Sequence, residues 1–571
     1  MLTLRKILIL TTLIVASLSG QSQILKTDLI NKTVIQYQKA EWDIALKASW
    51  SNPYAFNEIA LDMILKSPSG KQLTLPCYYE SGKSEAASQW KARFAARETG
   101  VYSYHFELRK QGQLVSASPK STFKTNPSKS KGFLKPNDLW TLKYDNGEPF
   151  RGVGENICWE SRDEDDSKYF EALHENKRFN YDYMLPKLAA NGGNFFRTWM
   201  IYWNLPVDWK TVQNNSRYQN STSPYNESGM KRMDHLVELC DSLGIHMMQA
   251  LESHVGYMGV GWQISNYNVV NGGPAKTPLE FFTLYEARQQ YKNKLRLMIA
   301  RYGYSPSIGA WEFFNEIDNA MYNGKPEDQI PASVITPWHD EMSTFLKNTD
   351  PFKHIVTTSV SHRDVAGMNE LKNMDMNQRQ NYKNTAGIPA TLREYSAKYN
   401  KPYVIGESGY EWDWSKNFNV FAGEMDGDFK RALWFGMFSP TPILPMSWWW
   451  EFFENRGMMS YYKQVSEMNR NMLKAGKGKF ESIEAKASEK GLTVYSVRSG
   501  IKTFVYVYNS GDKTESIKLN LSVLPKSNTK MQYFDCETGK YNPAKYTALP
   551  DKKLQIENLK LHPKGDIILI W

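Results

Sequence analysis

Cysteine is scarce in this chain, and the four that occur, Cys77, Cys158, Cys240 and Cys536, are scattered. They form no CxxC pair and keep no metal-ligand spacing, so no zinc module or dithiol redox site is expected. A chain of this size does not need disulfides, and the four are read as buried free thiols. Basic blocks are missing too: the net charge of +10 is spread along the sequence. Without a basic helix or stripe a nucleic-acid partner is disfavoured, whereas an acidic polysaccharide is compatible. No glycine-rich phosphate loop, Ser–His–Asp set, internal repeat or low-complexity tract occurs. Long apolar runs are confined to the start. Arg5 and Lys6, the apolar stretch Ile7 to Leu18 and the small pair Ser19-Gly20 make residues 1–22 read as a signal peptide. That run is too short for a comfortable membrane span, and nothing later is long enough. The mature chain is therefore expected to have no membrane span and to be secreted, whether periplasmic, extracellular or cell-surface; a retained N-terminal anchor is the alternative.

Aromatic residues are what the chain has in quantity, with 18 Trp and 33 Tyr. The plain reading is large cores; the sharper one is flat rings for stacking on sugars. A length of 571 residues implies two to four domains. From 24 to 125, short alternating runs such as Tyr102, Tyr104, Phe106 and Leu108, punctuated by Pro68-Ser69-Gly70 and Glu98-Thr99-Gly100, predict an N-terminal β-sandwich. Residues 126–132 look like a linker.

Between 135 and 477 strand and helix alternate. Strands are expected near Phe150, Asn194, Ile245, Ile308, His354, Met374, Pro402 and Ile443. Amphipathic faces fall between them: Met233, Leu236, Val237 and Cys240; Leu295, Met298, Ile299 and Tyr302; Tyr461, Val465, Met468 and Met472. Eight such units match an α/β fold of the (β/α)8 TIM-barrel kind with insertions. A doubly wound sheet is the alternative, weakened by the missing phosphate loop. From 478 to 571 the pattern returns to β, with two runs from Leu492 to Tyr508 and a strand-like end at Ile567 to Trp571, predicting a C-terminal β-sandwich.

Catalytic groups of such barrels sit at the carboxyl ends of strands. Two apolar strands end in isolated acids: Ile308 to Glu316, and Pro402 to Glu407. These are the fourth and seventh strands, which face each other across the mouth. Glycosidic hydrolysis with retention needs one carboxyl group to protonate the leaving oxygen and another, about 5–5.5 Å away, to attack the anomeric carbon. Singly, each acid is more often a solvated or ion-paired group. Jointly, Asn315-Glu316 and Gly406-Glu407 point to a pair. Asn315 would then bond a sugar hydroxyl beside the reacting carbon. Glu312 reads as either a supporting partner or a structural ion pair. His254 and His362, after strands three and five, and Trp159 with Glu160, after strand one, are weaker candidates for the cleft.

Trp311-Glu-Phe-Phe-Asn315-Glu316 and Ile405-Gly406-Glu407-Ser408-Gly409 resemble the acid/base and nucleophile motifs of clan A glycoside hydrolases, the group that includes family 5 cellulases and mannanases. The resemblance implies Glu316 as general acid/base and Glu407 as nucleophile. Phe195-Phe196-Arg197-Thr198-Trp199 is similar to the clan's second strand, implying that Arg197 steadies the nucleophile. Trp448-Trp449-Trp450-Glu451 resembles the aromatic end of strand eight, with Trp450 taken as the floor of the sugar site. Tyr382 matches a tyrosine that bonds the nucleophile, while Gln380 stands where the clan often has His and Arg379 is unexpected; an anionic or sulfated sugar and a structural role are the two readings of Arg379. Gln89 to Phe94 followed by Glu98 to Tyr102 resembles the module called domain of unknown function 5060. The function implied is a secreted, retaining enzyme that cleaves β-glycosidic bonds of a polysaccharide or oligosaccharide by double displacement, with no metal or other cofactor. A non-catalytic carbohydrate-binding surface protein on a barrel scaffold is the rival from another class.

Overall fold

The computed structural model describes residues 23–321, 329–526 and 529–571, so the signal peptide expected at 1–22 lies outside the described residues. Seven parallel strands run in order around a barrel: Gly154–Asn156, Phe195–Trp199, His246–Ser253, Ile308–Asn315, a fifth in two pieces (Ile355–Thr357 and Ser359–Val360), Asn377–Tyr382 and Tyr403–Gly409. The eighth position is held by 443–447, which closes the ring. Ser447 bridges in parallel to both Ser408 and Glu155, and Ile443 bridges to Gly152. Gly154 is required at this closure, because a Cβ there would stand 1.6 Å from the Phe195 carbonyl oxygen.

One expected strand shifts. Pro149–Phe150 is not the first barrel strand but the last of a small antiparallel sheet with Leu134–Pro136 and Leu142–Tyr144. Leu134, Leu142 and Phe150 pack against interior barrel residues Phe195, Met248, Ala310 and Val404, plugging the end away from the strands' carboxyl termini. Helices return the chain after most strands. In Glu227–Leu243 the predicted face of Met233, Leu236, Val237 and Cys240 is buried, and Gly244 closes the helix in the left-handed conformation at φ 66°. No helix occupies the connection 361–376 between strands five and six.

Before the barrel, a four-stranded antiparallel sheet and a six-stranded sheet, antiparallel except for one short parallel pair, lie face to face. Trp42 of Lys39–Lys47 meets Tyr104 of Gly100–Lys110 edge-on at 5.5 Å and Phe123 at 5.3 Å. Tyr102, Tyr104, Phe106 and Leu108 are all buried, as their alternation requires. This unit docks on the barrel helices through ionic contacts: Arg93 reaches Asp234 at 2.6 Å, Arg301 reaches Glu80 at 3.1 Å, and Arg296 reaches Asp62 at 2.6 Å. After the barrel, six-stranded and four-stranded sheets enclose Val505, Val507, Leu519 and Leu569. Strand Lys502–Asn509 is buried on both faces from Phe504 to Tyr508 because its other face, through Tyr506 stacked on Phe438 at 5.6 Å, covers the barrel. All four cysteines are buried and unpaired, and no described helix is long and apolar enough to cross a membrane.

Candidate active site

Arg197 organises the mouth of the barrel. It is fully buried, and its guanidinium donates to both oxygens of Glu312, at 2.7 and 2.8 Å. The remaining N–H groups reach Asn156 Oδ1 at 3.1 Å, Asn315 Oδ1 at 2.6 Å and Glu407 Oε1 at 2.8 Å. One cation thus serves two carboxylates, and the planar fork fixes both. Glu312, left open between two readings by the sequence, is Arg197's bidentate partner.

Glu407 lies near the carboxyl end of the seventh strand. Its Oε2 accepts from the Tyr382 hydroxyl at 2.7 Å. Burial pushes this carboxyl up to about 7; Arg197 pulls the other way, and the charge of Glu316 adds to the rise. Gly406 precedes it because the Gln378 and Gln380 side chains occupy the space: a Cβ would lie 2.7 Å from Gln378 Cδ and 2.9 Å from Gln380 Oε1.

Glu316 follows the fourth strand with φ at 51°, a left-handed conformation that a glutamate adopts at a cost of about 1–3 kcal/mol. Its N–H donates to Ser359 Oγ at 3.0 Å, and its Oε2 accepts from Asn319 Nδ2 at 2.8 Å. Nδ1 of His254 stands 3.7 Å from the same oxygen. The Glu316 carboxyl is also pushed up to about 7, first by burial and then by the charge of Asp318. Asp318 is buried and anchored by the Ser361 backbone N–H and hydroxyl, both at 2.6 Å. Burial thus raises both carboxyls, while Arg197 and the Tyr382 hydroxyl favour the ionised form of Glu407.

Asn315 is clamped by two donors on one oxygen, Arg197 and Gln380 Nε2 at 3.2 Å. Its Nδ2 therefore faces outward, 3.3 Å from His254 Nδ1. Gln380 also donates to Ser359 Oγ at 3.1 Å. It fills the place where a histidine was anticipated and does the orienting without titrating. Arg379, the next residue back, points out of the barrel to the Tyr395 hydroxyl and the His362 carbonyl, both at 3.1 Å.

Two of the expected substrate contacts are deeply buried. Trp450 is 1% exposed and meets Trp159 edge-on at 4.9 Å. Trp159 is itself walled in by Trp199, Trp203 and Trp448 and covered by Arg162. Both rings lie inside this aromatic cluster. Trp448, at 9%, is the most exposed of the three consecutive tryptophans, and its backbone N–H is bonded to the Ser408 carbonyl at 3.0 Å beside Glu407. Glu160 is bound by Arg232 and lies away from the acids. His362 is bonded to Ser361 Oγ and Arg363 and does not join them. Ser359, Asp318 and Asn319 went unnoticed in sequence, since short polar residues after strands carry no distinguishing signal. Among the described residues no group of three His, Cys, Asp or Glu is placed to hold a metal ion.

Glu316 and Glu407 thus stand at the carboxyl ends of parallel barrel strands, where barrel enzymes carry their active sites, with Arg197 bonded to Glu407 and to Asn315 beside Glu316. Residues 160–428 match the family described as Cellulase (glycosyl hydrolase family 5), and residues 33–109 match the domain of unknown function DUF5060. The barrel is of the clan A glycoside hydrolase type, family 5-like, behind a DUF5060 module. The chain is 25% identical to mannan endo-1,4-beta-mannosidase A of Podospora anserina over 261 residues, 41% of this chain and 65% of that protein. It is 28% identical to mannan endo-1,4-beta-mannosidase A of Aspergillus aculeatus over 183 residues, 31% of this chain and 44% of that one. These matches span less than two thirds of either relative. In fold, the chain is similar to a solved Bacteroides vulgatus structure provisionally named a glycoside hydrolase, with TM-score 0.63 and 13% identity over 95% of this chain and 99% of that one.

Proposed function

We propose that this protein is a secreted, retaining glycoside hydrolase that cleaves β-glycosidic bonds of a polysaccharide or oligosaccharide by double displacement, on a barrel flanked by two β-sandwiches. The observation that carries the reading is Arg197 holding Glu407, Asn315 and Glu312 together one residue from Glu316.

Glu407, kept ionised by Arg197 and Tyr382, attacks the anomeric carbon, and the C–O bond to the leaving sugar breaks as Glu316 passes its proton to that oxygen. Glu316, now a carboxylate, takes a proton from water, whose oxygen displaces Glu407 and releases the sugar with its original anomeric configuration. Outward-facing Asn315 Nδ2 bonds the hydroxyl beside the reacting carbon, where the contact strengthens as charge develops. Trp448, rather than Trp450, floors the sugar site. His254 lies on the acid/base side.

The named relatives act on mannan, so β-1,4-mannan heads the panel of substrates. Purified protein is incubated with β-mannan, β-glucan and galactan, and reducing ends are measured beside a Glu407→Ala control. Release by the parent alone, with the β-anomer first in proton NMR, supports the proposal. Equal release by the control, or the α-anomer first, ends it.

A further inference from the structure

A second cleft lies where the N-terminal sheets meet the barrel helices, and it shares no residue with the acidic site. It has a volume of about 360 Å³ and opens to solvent. One wall is the connection 48–58 of the N-terminal unit. The other combines barrel segments 208–225 and 266–272 with the first turns of helix Tyr285–Tyr302. The two walls are locked: the Phe56 N–H donates to Asn293 Oδ1 at 3.3 Å, and Tyr54 meets Tyr225 edge-on at 4.8 Å. Neither wall makes the cleft alone.

We propose that this cleft is a second glycan-binding site, for a neutral pyranose chain. Tyr285, at 59% exposure, offers an open ring face on the rim. Sugar C–H faces pack on such rings at little entropic cost, since a tyrosine has few torsions to fix. Around it stand amides with unused capacity. Asn57 and Gln289 make no hydrogen bond among the described residues, and Gln290 spends only its amino group, on the Asn266 carbonyl at 3.2 Å. An amide side by side with another presents donors and acceptors in the alternation that vicinal hydroxyls need. Charge is largely cancelled: Asp208 is paired with Lys294 at 2.9 Å, and Lys210 and Glu286 oppose each other in sign. A phosphate or a polyanion finds no cationic cluster here, whereas a neutral hydroxylated chain meets both ring and amides. The inference stands apart from the catalytic reading.

The test is affinity electrophoresis of the full chain through gels holding β-mannan, hydroxyethylcellulose or xylan, with a pectate gel as the anionic probe. Glu407→Ala is the background throughout, so no polymer is consumed. At least one neutral polymer is expected to retard the protein and pectate not to. Tyr285→Ala and, on the opposite wall, Asn57→Ala should each weaken that retardation about tenfold at unchanged melting temperature. In the active background both variants should keep the parental kcat on a short soluble oligosaccharide. Parental retardation in both variants, or none with any neutral polymer, overturns the site. Loss of hydrolysis with Tyr285-dependent retardation intact fails the catalytic reading alone.

Discussion

Arg197 Nη1 stands 2.8 Å from Glu407 Oε1 inside a barrel where neither side chain is more than 4% exposed. Removing one partner of such a pair leaves the other charge buried without compensation, a loss of about 3–5 kcal/mol. Arg197→Met is expected to lose stability in that range by urea unfolding. Adding Glu312→Gln should recover part of it, because one buried charge fewer is left unpaired, and should restore no turnover. A single Arg197→Met as stable as the parent contradicts the arrangement.

Glu407→Ala is expected to lower kcat by about 10⁴-fold or more, the scale on which removing an attacking nucleophile acts. Azide should restore product formation as a glycosyl azide, detected by mass spectrometry, since a small anion fits the space vacated. Undiminished turnover in this variant rules out Glu407 as nucleophile.

Activity as a function of pH follows from the two raised carboxyls, each near 7. The acid/base must hold its proton, so kcat/KM falls as pH rises through the upper apparent pKa and Glu316 ionises. The nucleophile must have lost its proton, which sets the acid limb. Glu316→Gln should erase the alkaline limb on an aryl glycoside whose leaving group needs no proton. Tyr382→Phe removes a hydrogen bond to ionised Glu407, so the acid limb should move to higher pH with kcat reduced about tenfold. An unmoved acid limb counts against that bond.

Glu451, at the start of helix Trp450–Asn455, is buried, and that burial pushes its carboxyl up to about 8. The folded state then keeps a proton that the unfolded chain releases near 4.5, so stability is lost as pH rises between those values. Glu451→Gln carries no such penalty. Its advantage over the parent should be small at pH 5 and reach about 1–3 kcal/mol at pH 8, read from urea midpoints. A constant difference across that range refutes the buried-acid account.

The acids themselves were legible before any coordinates, because an isolated glutamate ending an otherwise apolar strand breaks the local pattern. Arg197 was legible for the same reason, lying on Phe195-Phe196-Arg197-Thr198-Trp199. The tryptophans were not. Trp448, Trp449 and Trp450 are identical in local composition, and which ring meets the mouth depends on where the chain leaves Ser447 and turns into a helix. The burial of Trp159 was hidden for the same reason: four tryptophans from two distant segments, 199–203 and 448–450, enclose it.

The linear order of residues determined the elements: period-two runs at either end, period-3.6 faces between, and acids at strand ends. Those are consequences of local geometry, which a strand or helix imposes on its own few residues. Tertiary structure alone decided which polar groups share a hydrogen bond or a cation. Asp318 lifts Glu316, Gln380 clamps Asn315, and one guanidinium serves Glu312 and Glu407 because ring closure at Ser447 brings strands far apart in sequence to a common rim. Burial then strengthens each of those contacts, since the dry interior screens charge far less than water does.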